Sequence, residues 1–311
     1  MSFSDLLGLG QTALELALFN SLTVLALYLS YSMLNVCDLS TDGCYTLGAA
    51  VGAMVAISGH PLLSIPMAML AGMASGLLTA TLQTRMGVNS LLAGIVVNTG
   101  LYSVNIAVME GSSLKNMNKT QTVFTMLKDA LKGAGLGPYQ NLIIGVAAAA
   151  LVILFLSFFL RTRLGLAIRA TGNNPDMVRS SSIDPRFTTT VGLIISNAFT
   201  ALSGCLMAQS QKSVTVDIGS GMVTVALASL LIGGVFIRRG ITRRAVGAVL
   251  GAFIFRMVYT VALRFHLPAY MLKLVSSAIV VAAISVPYLM GRPGAKKIAG
   301  LPAPKGGVGK C

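Results

Sequence analysis

Charge is scarce in this sequence, and acidic charge is scarcest. Only 10% of the 311 residues are Asp, Glu, Lys or Arg, and nine of these are acidic. A soluble domain carries about 25% charged residues, so a surface wetted mainly by water is excluded. Histidine is nearly missing: His60 and His266 each stand near a proline and read as loop residues rather than ligands. The four cysteines, Cys37, Cys44, Cys205 and Cys311, show no paired metal spacing. They read as inert thiols rather than a disulfide frame or metal site. With so few candidates, no catalytic cluster of His, Asp, Glu or Cys is recognisable, which argues against a membrane-embedded enzyme. Met1–Gln11 carries no lysine or arginine, so no cleavable signal peptide is expected and the first apolar run should stay in the membrane.

What is present is one apolar run after another. Hydrophobic residues make up 55% of the chain, and the mean hydropathy is +0.80. A bilayer core of about 30 Å needs about 20 apolar residues per helix. The runs are Leu14–Met33, Thr46–Gly59, Leu62–Thr84, Ser90–Met109, Gln140–Leu160, Thr188–Ala208, Met222–Ile237, Ala245–Arg264 and Pro268–Met290. They predict an all-α polytopic transmembrane bundle with about eight to ten membrane segments. No tract looks like a separate soluble domain, so 1–291 reads as one transmembrane domain, with a loop at 161–187 and a basic tail at 292–311. The pairs Gly48/Gly52, Gly72/Gly76 and Gly247/Gly251 suit close helix approach. Thr46–Gly59 is short for a crossing and follows Asn35–Tyr45, too polar for lipid. A half-helix starting inside the protein would fit both features.

The formal net charge of +14 would suggest nucleic acid in a soluble protein; here the positive-inside rule is the better reading. Arg85 stands after the third run. Arg161, Arg163, Arg169, Arg179 and Arg186 crowd one loop, Arg238, Arg239, Arg243 and Arg244 another, and Arg292, Lys296, Lys297, Lys305 and Lys310 the tail. With nine crossings these fall on one side, expected to be cytoplasmic, with the N-terminus outside. The other side holds the minority: Lys115, Lys119, Lys128, Lys132, Lys212 and Arg264.

The loop Arg161–Arg186 reads RTRLGLAIRATGNNPDMVRSSSIDPR. Leu164, Ile168 and Thr171 suggest a helical turn or two, with Gly172 as a stop. Asn173 or Asn174 can cap a second helix around Pro175–Ser181, with Pro175 first and Asp176 in its first turn. A merely solvated loop need not encode two capped helices, so a docking element is expected.

Gly165 to Asp176 resembles the cytoplasmic coupling loop of type 2 binding-protein-dependent ABC permeases, the branched-chain amino acid, ribose and nucleoside importer group. ALASLLIGG (Ala226–Gly234) is similar to that family's apolar run into a double glycine. DLSTDGCYTLGAA (Asp38–Ala50) resembles a block of its tryptophan/tyrosine-type subgroup, and with Leu91–Met109 the resemblance spans nearly the whole chain. Two departures stand out: Phe236–Arg244 (FIRRGITRR) is unusually basic, suited to an ATPase contact or to anionic headgroups, and Cys44 replaces a usual serine. The resemblance implies a type II ABC importer fold in a bacterial plasma (inner) membrane. It implies a homodimeric or pseudosymmetric pore, ATPase subunits docked on the cytoplasmic side, and an extracytoplasmic solute-binding protein. Gly165, Ala167, Arg169, Gly172, Asn174, Asp176 and Arg179 would then couple to the ATPase. The solute would be an amino acid, aromatic ones included, or a similar small molecule.

The chain itself is expected to need no cofactor and to be no enzyme, ATP being hydrolysed by a partner subunit. KGGVGKC (Lys305–Cys311) imitates a phosphate-binding loop but has Pro304 and Cys311 where glycine and a hydroxyl residue belong, with no helix after it. Polar groups in apolar segments are the candidate solute-path residues. Asp38 and Asp42 flank the break before Gly43, where carboxylates and helix N-terminal amides could meet the two ends of an amino acid; alternatively Asp42 caps an exposed turn. Asn98 and Asn105 share a helix face and either line the path or bond neighbouring helices; Asn197 and Gln209 carry the same alternatives. Arg256 either pairs with an acid or solute carboxylate, or serves packing and snorkelling. In Glu110–Tyr139, Phe124, Leu127 and Leu131 form a helical stripe that either meets a binding protein or covers the bundle. The competing class, an ion-gradient-driven transporter or channel, calls for intramembrane carboxylates that the central runs barely hold.

Overall fold

The computed structural model describes residues 3–118, 120–131, 139–237, 240–264 and 271–289. Readings made for Lys119, Lys132, Arg238, Arg239, His266 and the tail at 292–311 fall outside the described residues. The chain is a helical bundle, as the apolar runs require: each of the nine runs forms a helix. α1 (Phe3–Leu27) passes into a π-helical turn (Tyr28–Met33), followed by α2 (Thr41–Ile57), α3 (Pro61–Thr84) and α4 (Ser90–Val108). A short strand β1 (Leu114–Asn116) and α5 (Val123–Leu131) lead to α6 (Gln140–Phe159), α7 (Arg163–Asn173) and α8 (Pro175–Ser180). Then come α9 (Pro185–Gln211), β2 (Ser213–Thr215), α10 (Met222–Phe236), α11 (Ile241–Arg264) and α12 (Met271–Leu289). Six described helices are long and apolar enough to cross a membrane, while α2 and α10 are apolar but shorter. The described chain is thus a multi-pass membrane bundle with two shorter members.

α9 and α1 are the most enclosed spans, and α3, α4 and α6 lie outside them. Leu63, Leu70 and Leu77 on α3, and Leu151, Leu154 and Phe158 on α6, are exposed, as expected where lipid tails replace water. Close packing in the centre is made by glycine. A Cβ on Gly48 or Gly72 would strike Ala201 of α9, and one on Gly76 would strike Leu193. From the other side, a Cβ on Gly204 would strike the carbonyl of Tyr45. α2, α9 and α3 therefore touch backbone to backbone, which is how small residues hold helices together where no hydrophobic force distinguishes protein from lipid. Gly251 and Gly233 do the same between α10 and α11.

These contacts also give the direction of each helix. Gly48 and Gly52 of α2 meet Ala201 and Cys205, so α2 runs parallel to α9. Gly72 and Gly76 of α3 meet Asn197 and then Leu193, so α3 runs antiparallel and Arg85 lies at the α7–α8 end. Gly172 of α7 lies against the Met33 carbonyl, and the Tyr28 hydroxyl donates to the Ile241 carbonyl at 3.3 Å. The start of α11, with Arg243 and Arg244, is therefore at that end too. β1, which carries Lys115, and β2, which follows Lys212, pair antiparallel beyond α4 and α9 at the opposite end. α5 is a cover for the bundle: Phe124 is buried, meets Phe19 edge-on with centroids 5.5 Å apart, and the Val123 N–H donates to Gln209 Oε1 at 3.1 Å. Gln209 is thereby a bond between elements, its Nε2 donating to Ser64 Oγ at 2.6 Å.

Replacing Gly204 by valine should break the α2–α9 contact, since the added atoms meet main chain that has no rotamer to yield. A loss of about 3 kcal/mol or more is expected, read as a lowered melting temperature in detergent. An unchanged melt would show that the two backbones do not touch.

Candidate functional site

The site begins with a break in the helix path. The π turn at Tyr28–Met33 ends α1 with Leu34 N–H donating to the Leu29 carbonyl at 3.2 Å, and Asn35 takes φ +57°, a left-handed position that asparagine tolerates. Residues 34–40 then run without helix back into the bundle. Polar backbone at this depth survives only if protein supplies its partners. Asp38, 1% exposed, supplies several. Its Oδ1 accepts from Ser40 N–H at 2.9 Å and from Ser40 Oγ at 2.6 Å. Its Oδ2 accepts from Asn197 Nδ2 at 2.8 Å. Thr41 Oγ1 donates to the Asp38 carbonyl at 2.9 Å, and Thr79 Oγ1 of α3 lies 3.2 Å from Ser40 Oγ. Asp38 and Asn197 thus meet each other and pin the break to α9. They do not line the cleft described next.

α2 starts at Thr41, and its first turn reaches the level of Asn197, near the middle of the 27-residue α9, at Cys44. α10 starts at the same level from the other direction. After β2 the chain re-enters as a turn, Gly219 lies against the Asp42 carbonyl, and Gly221 takes φ +84°. The Asp42 carboxylate then accepts from two N–H groups at the start of α10, the N-cap Gly221 at 2.9 Å and Val223 at 2.8 Å. Asp42 is therefore neither in an exposed turn nor the cap of its own helix: it caps α10 across the chain. A negative charge facing the positive end of a helix dipole, with two N–H groups satisfied, suits both sides.

Beside this junction lies a cleft of about 320 Å³. Asp42, Asn98 and Asn105, three of the sequence candidates, share its wall. Asn105 Nδ2 donates to the Gly43 carbonyl at 3.2 Å, and its Oδ1 has no partner among the described residues. Asn105 thus both lines the cleft and bonds a neighbouring helix. Sequence reasoning missed Asp217, Ser220, Thr99 and Tyr102, which line the same cleft. The signal available was DIGSG at 217–221: two glycines and an acid just before an apolar run too short to cross, similar to the TDG that opens α2. Arg256 stays apart. Its guanidinium stacks over Tyr259 with 5.3 Å to the centroid, and the Asn20 amide oxygen, in its satisfied orientation, accepts from Nη2 and Nε.

At the far end, α7 and α8 are the two capped helices the loop sequence suggested. Thr162 caps α7 by accepting from Gly165 N–H at 3.3 Å. Asn174 Oδ1 caps α8, accepting from Asp176 and Met177 N–H at 3.1 Å each. Gly172 does not stop α7, which continues to Asn173; the glycine is needed because α7 presses on the Met33 carbonyl there. The seven loop candidates divide by exposure. Gly165 and Ala167 are buried, and Gly172 and Arg169 half-buried. Asn174, Asp176 and Arg179 face outward, the last two 4.0 Å apart and largely exposed. Leu166 and Met177, unremarked in the sequence, are also exposed.

Residues 12–284 match the family model described as branched-chain amino acid transport system, permease component. A tyrosine transport system permease protein of Clostridioides difficile is 29% identical over 86% of this chain and 88% of its own length. The ribose import permease protein RbsC of Escherichia coli K12 is 25% identical over 80% of this chain and 76% of its own. A probable branched-chain amino acid transport permease protein LivH of Methanocaldococcus jannaschii is 25% identical over 75% and 73%. No solved structure matches significantly.

Asp42→Ala should free the first turn of α10 at a cost of about 1 kcal/mol. Amide exchange at 221–223 should then quicken about fivefold or more while α9 stays protected. Equal exchange in both proteins would exclude the cap.

Proposed function

The chain belongs to the permease-component family of branched-chain amino acid transport systems, and from that premise we propose that it forms the solute path of an ATP-driven ABC importer. The α7–α8 end faces the cytoplasm and receives separate ATPase subunits. The β1–β2 end, with the N-terminus, faces outside and receives a solute-binding protein. A second copy of the chain completes the pore, lipid surrounds the pair, and nucleic acid has no part. The solute is an amino acid or similar small molecule, with aromatic amino acids favoured by the name of the C. difficile relative.

One observation carries this reading: the coupling helix rests on the chain segment that leads into the cleft. Gly172 of α7 lies on the Met33 carbonyl and the Leu34 backbone. From Leu34 the chain runs without helix to Asp38, which is tied to α9, and on to Asp42, which holds α10. A push on α7 thus reaches the junction of the two half-helices through a few residues of main chain. Transport needs a bundle with two arrangements whose balance nucleotide shifts; α7 is where the bias enters, and the α2–α10 junction is where access changes. In this scheme Asp42, Asn98 and Asn105 line the path, and Asp38, Asn197 and Arg256 hold the bundle around it. Arg169, Asn174, Asp176 and Arg179 meet the ATPase directly, while Gly165, Ala167 and Gly172 let α7 pack against α6 and the end of α1.

Met177→Glu, at an exposed position of α8, should reduce copurified ATPase about tenfold, or about 1.4 kcal/mol of affinity, without lowering the melting temperature. Retained ATPase would remove α8 from the contact. Solute uptake that persists in membranes stripped of any ATPase would sink the importer reading in favour of gradient-driven transport.

A further inference from the structure

The charge in the cleft is of one sign. Its lining carries two carboxylates, Asp42 and Asp217, and no lysine, arginine or histidine. Their states differ. Both oxygens of Asp42 accept N–H groups of α10, so much of its charge is met by the helix terminus. Asp217 is exposed, and no ion-pair partner for it occurs among the described residues. Asn105, 1% exposed, stands on the same wall with an amide oxygen lacking any donor among the described residues. Its amide nitrogen is already committed to Gly43, so what the residue has left is an acceptor. Cleft and residue together ask for a donor that carries positive charge. A carboxylate without a cation beside it disfavours an anion and draws an ammonium. Tyr102, 52% exposed on this wall, adds an aromatic surface that suits a ring or a cation.

We infer that this cleft recognises its solute by a protonated primary amino group, with Asp217 supplying the charge and Asn105 Oδ1 a hydrogen-bond acceptor. The inference rests on the reading of the cleft as the solute path, and it gives the permease a selectivity of its own beyond that of any binding protein. Amines and zwitterionic amino acids enter. A carboxylic acid without the amino group is repelled, and a neutral sugar lacks the charge that Asp217 answers. The hydroxyl of Ser220 remains on the wall for the other end of the solute, while that of Thr99 already donates to the Ile95 carbonyl at 2.9 Å.

The test uses the full chain alone in nanodiscs, with binding read by saturation-transfer NMR for four probes: L-tyrosine, tyramine, 3-(4-hydroxyphenyl)propionate and D-ribose. L-Tyrosine and tyramine should bind, and the propionate and ribose at least about tenfold more weakly. Asp217→Asn should weaken tyramine about tenfold, Asp217→Glu should restore it, and Asp217→Lys should reverse the order of tyramine and the propionate. Asp217 is an exposed turn residue, so these variants should melt as the parent does. Asn105→Leu should weaken both amines, with its melt measured beside it. Tyramine binding no better than that of the propionate, absent at millimolar concentration, or unchanged in Asp217→Asn would overturn the inference. None of these readouts involves an ATPase, so failed ATPase copurification would defeat the importer reading and leave the amine preference as measured.

Discussion

One carboxylate and two amide hydrogens hold the centre of this protein. A helix that starts at lipid depth leaves N–H groups without partners, and hydrocarbon offers none. α10 starts there, and the Asp42 carboxylate answers two of its donors. The arrangement works because Asp42 sits in the first turn of another helix that starts at the same depth. Each half-helix needs an irregular leader, and each leader needs partners of its own. For α2 these are Asp38, Ser40 and Asn197; for α10 they are the left-handed Gly221 and the Thr46 hydroxyl, which accepts Gly219 N–H at 3.2 Å. The cleft is the space beside two leaders that cannot pack as tightly as helices do.

The neighbouring block is of another kind. α2, α9 and α3 meet closely through glycine and main chain, and hydrogen-bonded side chains such as Gln209 and Ser64 tie them further. Such a block moves as one body or not at all. α10 is joined to it at the cleft by hydrogen bonds to a single side chain, and α7 rests on the leader from below. Rigid contact and breakable contact are therefore kept apart, and the breakable one lies at the cleft.

Much of this was legible before any coordinates. Hydropathy located all nine apolar runs that form helices, because each run must satisfy its own backbone in lipid. The polar stretch before Thr46 marked a half-helix, although α2 begins at Thr41: Asp38 and Ser40 organise the extra turn, and their partners lie on α9 and α3. Asn174 and Pro175 announced α8 through local chemistry alone. Gly172 was misread as a stop, since a glycine needed for close approach and one needed for a left-handed turn look alike in sequence. Asp217 went unseen because it becomes a cleft residue only when the re-entrant turn folds back on α2. Arg256 drew notice as a lone charge in an apolar run, yet its partners, Asn20 and Tyr259, are neutral.

The Asp42 bond also has a bearing on how its relatives are compared. Its partners are the peptide groups of Gly221 and Val223, and a peptide group is the same whatever side chain it carries. No second position has to change when the carboxylate changes, so paired substitution across a family would leave no trace of this contact. A search for co-varying residues would pass over this junction, as it would the glycine crossings where an added Cβ meets main chain. The history of that junction is written at one position only.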